Sequence, residues 1–462
     1  MIKKFTAIFG VIFMLGFSAL HAKTVKYEQN FITVEGTAYG DEGKGAIIAT
    51  LASWQPNSFC LRYNGGGNAG HTFFTNGKKF VTHLLPTGVF YGVGGIGPNV
   101  FIHAPLLKKE IKLARDAGAV LEGKLWVDPL AVLTLSIQRQ EDAGTGQAIG
   151  TTKAGIGPTA EDWHARRGFR VQHLIGLRNP ENAHKRELVR AMVATFVQHY
   201  KRLKHDVTEE EIMKELDEAS EIITPYIADV RKKSKESNLL LGEGAQGVCL
   251  DITYGSYPFT SSGHIVGGVE MAGFAPANIR VGVVKAYMSR VGNGPFLTED
   301  KEIHHMSNNV TCEWGSTTGR PRNAGWLDLV MLARNIELMR STSFALVKVD
   351  ALNGFESVKV CIGYQLEDGS TVSDVPLDPD AKVTPIYETF KGWPQWHDGS
   401  GKKMHKNLEA FVQAIEKFLS EKGMPLKMSM LSFGPEETQR LAVRNEELAQ
   451  FAPEGSVLLE RD

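Results

Sequence analysis

Apolar positions along the chain fall into two alternating patterns. Short β-rich runs occupy residues 31–35, 100–103, 239–241, 281–284, 344–349, 358–364 and 428–432. Between them, residues 106–117, 186–204, 209–236, 327–339 and 408–422 repeat apolar positions every three or four residues, which predicts helices with one buried face. Pro225 lies inside the 209–236 segment and should kink or divide it. This alternation predicts an α/β fold around a largely parallel central β-sheet flanked by helices, as one large domain with long ligand-binding loops. No internal repeat, low-complexity tract or composition break follows residue 30.

Glycine-framed clusters interrupt the pattern. Gly40-Asp41-Glu42-Gly43-Lys44-Gly45-Ala46 directly follows the first run. Glycines let backbone N–H groups approach phosphate oxygens, and a lysine adds a point charge there. It is not a Walker A loop, because Ala38 and Gly45 replace the required glycine and Ser/Thr. A second cluster runs from Arg62 through Asn64, Gly65, Gly66, Gly67, Asn68, Ala69, Gly70 and His71 to Thr72. Three successive glycines there predict a ligand-wrapping loop, not a helix or central strand. Further clusters are Gly150 to Pro158, Gly242-Glu243-Gly244-Ala245-Gln246-Gly247, and Gly315 to Arg322. Arginines beside threonines and glycines suit carboxylates or phosphates, which guanidinium forks bind bidentately. Each alone reads as a solvated turn; together they point to a ligand site. Lys348 and Asp350, two apart in a strand-like run, should share a face. A carboxylate there can accept both N1–H and N2–H of guanine.

Lys+Arg 51 against Asp+Glu 52 leaves a net charge of -1, so nothing offers nucleic acid a basic field. Charged residues at 22% and hydrophobic residues at 42% describe a soluble globular chain. Cys60, Cys249, Cys312 and Cys361 lie far apart, which favours neither a disulfide framework nor a zinc site. Residues 1–22 pair Lys3-Lys4 with an apolar run and an Ala-Leu-His-Ala end, as a secretory signal peptide does. A spurious leader read from an upstream start codon is the alternative. The run falls short of the ~20 residues of a membrane span.

These motifs resemble those of adenylosuccinate synthetases. The resemblance extends over most of residues 32–441. It rests on Gly40 to Gly45, Asn68-Ala69-Gly70-His71-Thr72, His83 to Gly88, Gly155 to Pro158, Glu243 to Gly247, Lys285 to Tyr287, Gly325 to Asp328, Tyr387 to Thr389 and Gly434-Pro435. It implies a P-loop-NTPase-like fold without a Walker A motif, in a catalytic domain spanning residues 30–462. The implied reaction is GTP-dependent joining of IMP and L-aspartate, giving adenylosuccinate, GDP and phosphate through 6-phosphoryl-IMP, with Mg2+ required.

The resemblance also implies roles. Asp41 would be the base at N1 of IMP, and His71 the acid or hydrogen-bond donor at the phosphates; Lys44 and Gln246 complete the catalytic set. Asp41 and the Gly70 carbonyl would hold Mg2+. GTP would contact Gly40, Asp41, Glu42, Gly43, Lys44, Gly45, Ala46, Gly70, His71, Thr72, Arg322, Lys348, Val349, Asp350, Ser432, Phe433 and Gly434. IMP would contact Asp41 to Lys44, Asn68, Ala69, Gly70, His71, Thr152, Gln246, Thr260 and Arg320. Arg166 would reach the neighbouring nucleotide of a homodimer. Aspartate would be held by Ser316, Thr317, Thr318, Gly319, Arg320, Pro321 and Arg322. Such substrates place the enzyme in the cytoplasm, whereas a working signal peptide would export it.

The chain departs from the family pattern at Gly67, Lys153-Ala154, Gly263 to Val266 and Pro321, near the aspartate and IMP ends. A divergent ligase using another purine nucleotide or amino acid, and a non-catalytic GTP-binding paralogue, are the alternative readings.

Overall fold

The computed structural model describes residues 29–461, apart from 291, 302, 304–321, 377 and 379–380. Its centre is β1 (Asn30–Gly36), buried from Phe31 onward, as a parallel strand covered on both faces must be. Across the ten-stranded sheet the order is Arg440–Ala442, Met428–Ser432, Ser343–Val347, Ile279–Lys285, β1, Leu239–Glu243, β2 (Phe59–Gly66), Val93–Ile102 and Leu125–Val127. Val132–Leu133 also pairs with Val93–Ile102. All pairings are parallel except that of Arg440–Ala442, which folds back antiparallel on its neighbour.

Helices cover the sheet as their periodicity requires. α1 (Lys44–Trp54) presses Ile47, Ile48 and Leu51 against Ile32, Val34 and Val283. Lys406–Glu421 buries Leu408, Phe411, Val412, Ile415 and Leu419, one stripe at helical spacing, next to Leu332 and Ile336 of Leu329–Met339. A separate cluster joins Leu107 and Ile111 of Ala104–Asp116 to Val193, Phe196 and Leu216. Pro225 divides its segment as expected: the helix Glu209–Ile223 stops and Val230–Ser234 resumes after a 3-10 turn.

Three expectations are corrected. Residues 62–66 are not loop but the end of β2, a strand inside the central sheet. The glycines permit close approach there: Gly65 has φ 79, and a Cβ on it would lie 2.5 Å from Ala245 Cβ. A register shift between Arg62 and Asn64 absorbs the irregularity. Second, Lys348 and Asp350 do not share a strand face. The strand ends at Val347, Lys348 is left-handed at φ 63, and Asp350 lies in the 3-10 turn Val349–Leu352. Third, the 358–364 run lies outside the central sheet. Its strand, Ser357–Leu366, pairs antiparallel with Val383–Lys391, which shows no buried face to betray it in the sequence.

Gly65→Ala should lower stability by about 1–3 kcal/mol, combining left-handed strain with overpacking. Gly77, at φ 69 but with nothing within 4 Å of a Cβ, is the control for strain alone. Equal shifts in denaturant midpoint for the two alanine variants would show that the Ala245 contact is not limiting.

Candidate active site

Five parallel strands of the central sheet deliver loops from their carboxyl ends into one cleft of about 1010 Å³. β1 supplies Gly40 to Gly43, β2 supplies Asn68 to His71, and Leu239–Glu243 supplies Gln246. Ser343–Val347 supplies Lys348 and Asp350, and Met428–Ser432 supplies Ser432 and Gly434. Ligands of open α/β sheets bind at this edge, where backbone groups leave the ladder and become available.

The loop after β1 is folded around its own carboxylate. Gly40, Asp41 and Gly43 are left-handed, at φ 84, 57 and 91. Glu42 accepts the N–H of Ala38 at 3.0 Å and of Gly40 at 2.9 Å, and pairs with Lys44 Nζ at 2.7 Å. Glu42 thus shapes the loop from inside. Asp41 faces the other way, into the cleft, where Arg322 forms an ion pair with it. α1 begins at Lys44, so its N-terminal dipole and N–H groups open on the same space and favour an anion.

Behind the loop lies a buried polar network. His71 Nδ1 is bonded to Glu243, and Arg62 Nη1 stands 2.9 Å from both ring nitrogens. Glu243 also accepts the Thr87 N–H at 2.8 Å and the Thr87 hydroxyl at 2.5 Å. Because a carboxylate only accepts, this network puts the His71 proton on Nδ1 and leaves Nε2 to accept from Arg62. Burial and the Arg62 charge push the His71 pKa down, against Glu243. Burial alone would raise the Glu243 carboxyl, but His71, Arg62 and Thr87 outweigh it and hold it at about 2.

A family model for adenylosuccinate synthetase matches residues 33–441. The chain belongs to the adenylosuccinate synthetase family. It is 37% identical over 421 residues to the adenylosuccinate synthetase of Chlorobaculum tepidum, covering 87% of this chain and 94% of that one. Identity to the Vibrio cholerae serotype O1 (strain M66-2) enzyme is 36% over 431 residues, covering 89% and 98%. The fully ligated adenylosuccinate synthetase of Plasmodium falciparum superposes with a TM-score of 0.79 at 29% identity, over 90% of this chain and 100% of that one. Cyanophage S-2L succinoaminodeoxyadenylate synthetase shares the fold alone, at 17% identity and a TM-score of 0.56. As a member of its family the chain is a GDP-forming ligase of AMP biosynthesis that joins IMP to aspartate with GTP. The divergent-substrate and non-catalytic readings are not favoured.

Within this family member, most residues singled out from the sequence meet in the cleft. Asp41, Glu42, Lys44, Ala46, Asn68, Gly70, His71, Thr72, Thr152, Gln246, Thr260, Arg322, Lys348, Asp350, Ser432 and Gly434 all line it. Three do not. Val349 is buried in its turn, Phe433 stacks on Trp396 instead, and Arg166 is exposed beyond the end of Ile156–His164. Ser316, Thr317, Thr318, Gly319, Arg320 and Pro321 lie outside the described residues. Cys60, Cys249 and Cys361 are buried and free.

Several buried polar atoms on the cleft wall have no partner among the described residues: Asn68 Oδ1, Gln246 Nε2 and Asp350 Oδ1. Buried groups of this kind cost stability unless a ligand satisfies them. Two residues central to the network, Arg62 and Glu243, entered the sequence reading only as letters of their clusters, with no role assigned. The available signal was a charged residue inside the otherwise apolar Phe59-Cys-Leu-Arg-Tyr run.

Both His71 and Glu243 bind fewer protons folded than unfolded, so stability should fall with decreasing pH. The His71 contribution is lost progressively as pH falls below its ordinary value of 6.5, and that of Glu243 between 4.5 and about 2. Thermal midpoints of the ligand-free protein between pH 7.5 and 5 should decline, and His71→Asn, which removes the group titrating in that window, should flatten the part due to this network. An unchanged slope in that variant would contradict the assignment.

Proposed function

We propose that this cleft performs the ligation with Asp41 as base, the GTP phosphates on the Gly40–Ala46 loop, and guanine at Lys348, Asp350, Ser432 and Gly434. The observation that carries the reading is the meeting of Asp41, Lys44, His71 and Gln246 in one cleft from three separate strands. The O6 of hypoxanthine is a poor leaving group until phosphorylated. Asp41 accepts the N1 proton, O6 bonds to the γ-phosphorus, and the bond from that phosphorus to the β-phosphate oxygen breaks, releasing GDP. The amine of aspartate then bonds to C6, and O6 departs with inorganic phosphate.

Gln246 offers the purine its Nε2–H, which has no partner among the described residues, and Asn68 and Thr152 border the nucleotide phosphate. Arg322, paired with Asp41 here, exchanges that carboxylate for substrate anions when the site fills. His71 keeps Nδ1–H on Glu243; bound phosphates beside the ring add negative charge that favours a proton on Nε2, which then donates to the leaving oxygen. Lys44 supplies positive charge beside the same oxygens.

Asp41 and the Gly70 carbonyl are the groups that would hold Mg2+. The described residues contain no cluster of three His, Cys, Asp or Glu side chains. That donor set fits Mg2+, which commonly takes one or two carboxylates and completes its shell with phosphates and water. Bound there, the ion would neutralise charge on the triphosphate.

The exposed Arg166 lies outside this cleft, a position that supports a role in the neighbouring site of a homodimer. Among the described residues no helix is long and apolar enough to cross a membrane. The substrates argue for a cytoplasmic enzyme, with residues 30–462 as its catalytic domain.

Asp41→Asn should reduce kcat by about 10²–10⁴-fold, the usual contribution of a positioned general base, while IMP binding stays nearly unchanged. An absorbance assay with IMP, GTP, Mg2+ and aspartate, beside IMP titration calorimetry, measures both. A fully active variant would overturn the base assignment.

A further inference from the structure

The two turns that would read guanine come from separate strands, Ser343–Val347 and Met428–Ser432. Both are held from behind by one short segment that does not line the cleft. Trp393, fully buried, donates its indole N–H to the Val349 carbonyl at 3.1 Å, inside the Lys348–Asp350 turn. Its own carbonyl accepts the Gly354 N–H at 2.8 Å, closing the far side of that turn. Three residues later, the Trp396 ring stacks on Phe433 with centroids 4.0 Å apart and planes inclined by 18°. Phe433 lies between Ser432 and Gly434, and its N–H donates to the Gln439 carbonyl at 3.0 Å.

The segment is itself fixed. Gly392 donates to the Glu356 carbonyl at 2.9 Å, and a Cβ at this position would lie 1.7 Å from the Phe355 oxygen. The Asn407 side chain holds the Gly392 carbonyl at 2.6 Å, and His405 N–H the Trp396 carbonyl at 2.8 Å. Trp393 packs on Phe411 with ring centroids 5.4 Å apart. Residues 392–396 are therefore a rigid link between the two turns, anchored on the helix Lys406–Glu421.

We infer that Trp393 and Trp396 are positioning residues for base selection, bracing the Lys348–Asp350 turn and the Ser432–Gly434 turn at one fixed separation. The inference rests on the reading that these turns hold guanine. Asp350 Oδ1 is buried with no partner among the described residues, and it can accept from the base only if that base is presented at hydrogen-bond distance. Recognition by paired N–H groups tolerates about 0.5 Å of misplacement, less than a loose turn would allow. The brace converts the stiffness of the packed helix into selectivity at a base that the tryptophans never touch.

Steady-state kinetics with GTP and with inosine triphosphate, which lacks the 2-amino group, tests this in three variants. Trp393→Phe keeps the ring and removes the donor; Trp396→Leu removes the stack. Each should raise the GTP KM about three- to tenfold, the worth of one hydrogen bond or contact, and narrow the preference for GTP over inosine triphosphate. kcat at saturating GTP and the KM for IMP should stay within about twofold, because the phosphate end is built separately. A merely structural role would lower the thermal midpoint and act on both triphosphates alike, and an unchanged preference in both tryptophan variants overturns the brace. Asp350→Asn separates the two levels. If it keeps the full preference, the guanine reading itself fails; if it alone loses the preference, only the brace fails.

Discussion

The Glu243 carboxylate, buried at the carboxyl end of its strand, is bonded at once to the His71 ring, the Thr87 hydroxyl and the Thr87 N–H. Its register partner in the adjacent strand is Arg62, whose guanidinium reaches the same imidazole. These groups come from four chain segments, so the network closes only when β2, the strand Leu239–Glu243, the hairpin at His71 and the turn at Thr87 are all in place. Removing one partner of a buried charged pair costs about 3–5 kcal/mol, since the other charge is stranded in low dielectric. That penalty ties the folding of the sheet to the placing of a site residue. Burial and the Arg62 charge keep His71 neutral, and its tautomer is set by the carboxylate and not by solvent.

Around this network the two ends of the cleft are built on different principles. The end proposed for the phosphates is mostly backbone: a left-handed loop folded over Glu42, then a helix N-terminus. Close approach is what matters there. A Cβ on Gly45 would lie 2.7 Å from His71 Cβ, and one on Gly36 would lie 2.4 Å from the Gln246 carbonyl. The end proposed for the base is built of side chains on turns, Asp350 and Ser432, backed by tryptophans and a helix. Backbone cradles suit any phosphate; selectivity for one base needs directed side-chain acceptors with little freedom.

Most of the helices were legible because their stripes are strong. Leu408, Phe411, Val412, Ile415 and Leu419 repeat over a full helix length, and Pro225 marks its break by removing a donor. The glycine-rich loop after β1 and its Asp41 and Lys44 were legible for a similar reason: local chemistry limits what such a run can do. The strand end at Gly65 and Gly66 was not. Glycine signals conformational freedom, and whether that freedom serves a loop or the tight packing of Ala245 against a central strand depends on residue 245, far along the chain. Lys348 shows the same limit, since a β-rich run does not announce the left-handed residue that ends it.

The sequence alone determined the α/β class, the glycine-rich loop with its carboxylate and lysine, and the family, because these depend on residues close together in the chain. Tertiary structure decided which charged groups meet. Parallel pairing across the central sheet sets Arg62 beside Glu243, with His71 and Thr87 packed onto them, while Arg322 reaches Asp41 and the two tryptophans reach their turns from segments outside that sheet. Pairing partners are chosen by register and burial summed over whole strands, a sum that no local window of residues contains.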